Sequence, residues 1–163
     1  MKLALDELFS IHSALRGHPT DFSKSGGLAL QRSGHTSPVR VGLDEDGLKA
    51  SAEIEWLSQA LALLEVLDSN RVTEDGAEAV AITYANSKAD WVVKRRLQRG
   101  ESADWLLRND TGWLVLEVSG TISGDALARL LEKQQQVARC SLPAERLAIV
   151  VMFDDPVIVV GSA

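Results

Sequence analysis

The run RLAIVVMF, residues 146–153, is apolar at every position after the first. A strand at the surface of a sheet alternates apolar with polar residues. A run with no polar face needs cover on both sides, as when a helix crosses over between parallel neighbours. This segment points to a layered α/β fold with helices packed on a sheet.

The sequence before it supplies the layers. In RVTEDGAEAVAITYAN (71–86), Thr73 is suited to an N-cap, and Glu74 and Asp75 complement the positive end of the helix dipole. Ala77, Val80, Ala81 and Tyr84 form the buried stripe of that helix, with Glu78 beside it. Three strand-like runs follow, WVVKRRLQ (91–98), ADWLLR (103–108) and WLVLEVS (113–119), separated by turns R-G-E-S and N-D-T-G. They are expected to form an antiparallel meander. After Gly120 the period returns to 3.6: Ser123 reads as the N-cap of a helix carrying Leu127, Leu130, Leu131, Gln134 and Ala138, closed by Pro143. The order from residue 73 is thus helix, three strands, helix, strand. The second helix should cross over, right-handed, to a parallel strand. The tail VIVVG (157–161) adds one more strand.

Residues 1–70 read as an elaboration on this core of residues 71–163, the two forming one compact unit. Leu5, Leu8, Phe9 and His12 sit at helical spacing within 3–15, and Leu57, Ala60, Leu61 and Leu64 within 57–67. Between them, residues 17–38 contain Gly26-Gly27 and no sustained period, the pattern of a long loop. VRVGL and LKASAEIEW flank the acidic turn D-E-D-G as a β-hairpin. That turn lacks the spacing of a calcium-binding EF-hand loop.

One cysteine, Cys140, excludes an intrachain disulfide and a Cys-rich zinc site. Together with the absence of a signal-peptide pattern it points to a reducing, cytoplasmic setting. No apolar run is long enough to span a bilayer. The net charge of −6 argues against bulk electrostatic coating of nucleic acid but leaves room for a local basic surface. Residues 88–108 form one such island, six basic against three acidic. Lys94, Arg95, Arg96 and Arg99 in it are candidate nucleic-acid contacts, with Trp91 and Trp105 available for stacking. Equally, they suit a charged edge strand protected from pairing.

Period two puts Trp113, Val115, Glu117 and Ser119 on one face of the third strand, and Asp104, Leu106 and Arg108 on one face of the second. In a registered meander Asp104 and Glu117 meet, and Glu78 can reach them from the helix on that side. Convergent buried carboxylates need a positive group among them. All-oxygen ligands of this kind suit Mg²⁺ or Mn²⁺.

With this element order, an Asp opening the second strand and a Glu inside the third, residues 73–153 resemble the core of the PD-(D/E)xK superfamily, the restriction endonuclease-like fold of many restriction enzymes, junction resolvases and repair exonucleases. The resemblance implies a metal-dependent nuclease acting on phosphodiester bonds of DNA or RNA. Asp104 and Glu117 would be metal ligands, and Glu78 the supporting acid of the first helix. Two residues after the Glu, where the family carries its catalytic lysine, this chain has Ser119, which by position is a catalytic candidate. Some relatives take that lysine from the second helix, which nominates Lys133; Gln134 beside it matches a Gln that recurs there and is a candidate nucleic-acid contact. A catalytically inactive accessory module of the same fold, binding protein or nucleic acid, is the competing expectation that Ser119 raises. Other chemistries fit less well. E-V-S-G-T-I-S-G-D lacks both GxxxxGK[ST] and GxGxxG, and His12, His18 and His35 all precede the serine-bearing second half.

Overall fold

A computed structural model describes all residues, 1–163. Eight strands form one mixed sheet: β1 (Lys2–Ala4), β2 (Val39–Glu45), β3 (Leu48–Glu55), β4 (Val92–Arg96), β5 (Trp105–Arg108), β6 (Trp113–Thr121), β7 (Glu145–Met152) and β8 (Val157–Ser162). Four α-helices accompany them: the short α1 (Leu8–Ile11), α2 (Phe22–Arg32), α3 (Ser69–Ala89) and α4 (Ala126–Val137). The strand order is β1-β3-β2-β8-β7-β6-β5-β4. β4, β5 and β6 are an antiparallel meander, and β7 lies parallel to β6 after the α4 crossover. β8 turns back antiparallel on β7 and pairs in parallel with β2, so the first 55 residues complete the same sheet.

The two faces differ in their cover. Leu114, Leu116 and Val118 of β6 belong to a large core with α2 and α3, built from residues such as Phe22, Leu28, Ala77, Val80 and Tyr84. Val115 of β6, Ala148 and Val150 of β7 and Val159 of β8 pack instead with Ala126, Leu130 and Val137 of α4. RLAIVVMF thus contributes to both cores, as its unbroken apolar pattern requires.

Several local expectations are corrected. Residues 17–38 are not one loop: α2 occupies 22–32, opened by Asp21, whose Oδ1 accepts from the Lys24 N–H at 3.0 Å. Its glycines permit close approach, and do not break the helix. A Cβ on Gly26 would lie 2.7 Å from Leu5 Cδ1, and one on Gly76 of α3 would lie 3.2 Å from Gly26 Cα. Residues 3–15 are divided among β1, two 3₁₀ turns and α1 because the segment must first pair with β3. Residues 57–67 yield only the 3₁₀ turn Leu61–Glu65, with Leu57 and Leu61 exposed. α3 begins a turn earlier than Thr73, at the N-cap Asp68. Asp125, not Ser123, caps α4, its Oδ1 accepting from the Ala128 N–H at 2.9 Å.

α3 crosses β6 at Gly120, where an added Cβ would lie 2.4 Å from the Thr73 carbonyl oxygen. Backbone cannot yield as a side chain can. Gly120→Ala is therefore expected to cost about 2–3 kcal/mol and lower the melting temperature by roughly 4–12 °C. Gly112→Ala, whose Cβ meets nothing within 4 Å, should melt close to the wild type in the same calorimetric scan.

Candidate functional site

β6 outruns β5. The meander pairing ends at Trp105 opposite Leu116, reinforced by the Asp104 N–H donating to the Leu116 carbonyl at 3.1 Å. Past that point the inward-pointing amides of β6 on this edge have no strand partner, and side-chain carboxylates take them. Asp104 Oδ2 accepts from the Val118 N–H at 2.9 Å, and Glu74 Oε2 from the Gly120 N–H at 2.9 Å. The parting of two neighbouring strands is thus lined by acids.

Glu117 projects beside this opening onto the α4 face, at 1% exposure. Lys133 reaches it from α4: its Nζ donates to Glu117 Oε1 at 2.7 Å and to Gln136 Oε1 at 3.2 Å. The other oxygen, Oε2, is buried without a hydrogen-bond partner. Asp104 lies near enough for its charge to act on Glu117. The acidity of Glu117 is weakened above all by burial and then by the Asp104 charge, with Lys133 opposing both. Asp104, Glu117 and Lys133 therefore converge, with Lys133 answering the charge of the buried Glu117.

Glu78 lies elsewhere. It belongs to the α3 face and is 6% exposed. Arg96 grips it with two bonds, Nη1 to Oε2 at 3.1 Å and Nη2 to Oε1 at 2.8 Å, and the Trp105 indole N–H donates to Oε2 at 3.1 Å. Arg96 also lies over the Trp105 ring, 4.9 Å from its centroid. Burial lifts the Glu78 pKa to about 7 against the pull of Arg96. Both oxygens of Glu78 are thus taken by protein donors. The acid α3 does bring to the strand opening is Glu74, one turn earlier, which the sequence marks only as a dipole-favoured residue.

The remaining candidates are dispersed. Ser119 Oγ accepts from Arg129 Nη1 at 3.0 Å, one pleat beyond Glu117. Gln134 donates to the Ser162 carbonyl at 2.7 Å, fastening α4 to β8. Arg95 is neutralised by Glu101 at 2.8 Å. With Arg96 committed to Glu78, only Lys94 and Arg99 of that basic run stay exposed and unpaired, Lys94 at a register shift of the edge strand β4. Such irregular, charged edges resist pairing with other chains.

Where Asp104 and Glu117 meet, the donor set is two carboxylates and the Lys133 ammonium, with Glu74 further along β6 at Gly120; no group of three or more His, Cys, Asp or Glu side chains is gathered to hold a metal ion. Mg²⁺ and Mn²⁺ are commonly held by one or two carboxylates with the remaining positions left to water and substrate, so the partnerless Glu117 Oε2 beside Asp104 fits that requirement. No helix is long and apolar enough to cross a membrane. Comparison with protein-family models, curated proteins and solved structures gives no match.

Because the folded-state pKa of Glu117 is raised, this group's contribution to stability is complete below the ordinary carboxylate pKa and is lost as pH rises through the folded value. Glu117→Gln keeps an acceptor for Lys133 but cannot ionise. Its melting temperature should exceed that of the wild type by roughly 2–6 °C near about pH 8, and the difference should shrink toward zero near about pH 5. A difference independent of pH would mean that Glu117 does not titrate in the folded protein.

Proposed function

We propose that this protein is a divalent-metal-dependent nuclease with a divergent restriction endonuclease-like core, hydrolysing phosphodiester bonds of DNA or RNA. The observation that carries the reading is the convergence of Asp104, Glu117 and Lys133 where β5 and β6 part, with one Glu117 oxygen buried and unpartnered. Supporting it, the meander β4–β6, the α4 crossover and the parallel β7 follow the order of elements in that superfamily.

Asp104 and Glu117 would hold Mg²⁺ or Mn²⁺, which supplies Lewis-acid polarisation of the phosphodiester oxygens. The protein's own part is positional. Burial on the α4 face fixes the Glu117 carboxylate, and the Val118 amide fixes Asp104, so neither must reorganise as charge develops on phosphorus. Lys133 has three N–H donors, of which Glu117 and Gln136 use two. The third is free to hold the attacking water or a non-bridging oxygen, the task that the family's lysine performs and that a Ser119 hydroxyl bonded to Arg129 cannot take over. Attack of water on phosphorus forms one P–O bond, and the bond to the leaving sugar oxygen breaks in line.

A second reading rests on a specific observation: Glu78 is already neutralised by Arg96 and Trp105, and the usual lysine position holds Ser119. An inactive accessory module of the same fold, binding a protein or a nucleic acid, needs no more than this.

Cleavage of single-stranded and duplex DNA and RNA with Mg²⁺ and with Mn²⁺ separates the two. The nuclease reading expects cleavage that falls at least ~10²-fold in Asp104→Ala, Glu117→Ala and Lys133→Ala while the circular dichroism of each variant stays that of the wild type. It also expects a calorimetric Mn²⁺ binding signal that disappears in Glu117→Ala. No cleavage of any of these substrates and no Mn²⁺ binding would leave the accessory module.

A further inference from the structure

The opening does not end at Glu117. α4 and β6 run past one another so that two pairs of residues stand in step. Lys133 meets Glu117, and Arg129, four residues earlier on the helix, meets Ser119, two residues later on the strand. The helix advances about 6 Å over four residues and the strand about 6.7 Å over two, so the pairs remain aligned. Both basic groups thus line one side of the same free edge of β6, separated by a distance of the order of that between successive phosphates in an extended nucleic-acid strand.

Arg129 is exposed, and only its Nη1 has a protein partner, the Ser119 hydroxyl; its other guanidinium donors have none. An arginine anchored by one bond and open at the rest is preorganised for bidentate capture of an oxyanion. It faces a polar cavity of about 320 Å³ that extends from the β6 edge at Gly120 to the start of α3. Glu74, across that cavity, has one carboxylate oxygen fixed on the Gly120 N–H and forms no ion pair with Arg129. Charge at Arg129 therefore stays available to a ligand.

We propose that Arg129 is the phosphate-positioning residue of this site: it binds non-bridging oxygens of the phosphate next to the scissile one, so that the nucleic-acid backbone lies along the open edge of β6 from Lys133 to Arg129. This rests on the nuclease reading and gives it a direction. Ser119 then has a role of its own, holding the guanidinium in place and contributing nothing to the attack on phosphorus.

The test is equilibrium binding, read by fluorescence anisotropy, of short labelled single strands of DNA and of RNA to the full-length protein with Ca²⁺ present, over a salt series. The variants are Arg129→Ala, Arg129→Lys and, as a control for bulk charge just past the end of the same helix, Arg139→Ala. Arg129→Ala is expected to bind about tenfold more weakly, with the slope of log affinity against log salt reduced by about 0.7. Arg129→Lys should recover the salt slope but only part of the affinity, and Arg139→Ala should match the wild type. Equal binding by Arg129→Ala and the wild type, or an equal loss in Arg139→Ala, would overturn the assignment of Arg129 and leave the nuclease reading standing. A wild type that binds neither strand would remove both.

Discussion

A carboxylate inside a central strand is tolerated only if something answers its charge, and here the answer comes across a layer boundary. Glu117 is covered by α4, and Lys133 of that helix bonds it at 2.7 Å. Removing either partner from such a pair is more damaging than never having had it, because the survivor remains desolvated. The pairing ties the register of α4 to that of β6, and through it the alignment of Arg129 with Ser119. Asp104 adds a second negative charge that one lysine cannot fully offset. Glu117 is therefore left short of positive charge where water is largely excluded, a condition that works against stability.

The sheet explains why this happens at that position. β5 is four residues long and β6 nine, so the longer strand must show unpaired amides at one end. Asp104 and Glu74 take those amides as side-chain acceptors, which spares the backbone an unsatisfied polar edge and brings carboxylates to the gap. On the other face, Glu78, Arg96 and Trp105 form a closed unit in which every charged oxygen is used. Two acidic centres separated by one sheet thus have opposite characters: one is saturated, the other is not.

Much of the core was readable from periodicity. The meander, the crossover and the doubly covered strand follow from runs of period two, a return to 3.6, and an uninterrupted apolar stretch. The meeting of Asp104 and Glu117 was legible because alternation places each on one face of its strand, whereas Lys133, at the edge of the helical stripe, was nominated only by the family resemblance. What escaped was governed by contacts distant in sequence. Gly26 and Gly27 look like breakers until Leu5, Trp56 and Gly76 are packed against them. Residues 57–67 carry a helical pattern but bury only Leu63 and Leu64, and those in part, and propensity with so little burial gives only a turn. Glu78 and Glu74 differ by one helical turn, and which of them reaches the strand opening depends on where Arg96 and Trp105 lie, which no local pattern records.

The position of β8 has a bearing on how the chain reaches this state. Residues 42–45 find their outer partner in β3 a few residues away, yet their inner partner is 157–160. During synthesis the hairpin of β2 and β3, with α2 beside it, must wait until residues 157–162 have emerged before the sheet can close over it. Until then the apolar undersides of Val41, Leu43, Ala52 and Ile54 rely on the helices alone for shelter. The β2–β3 hairpin is thus open to aggregation until β8 is made, and β8 is the strand that seals it.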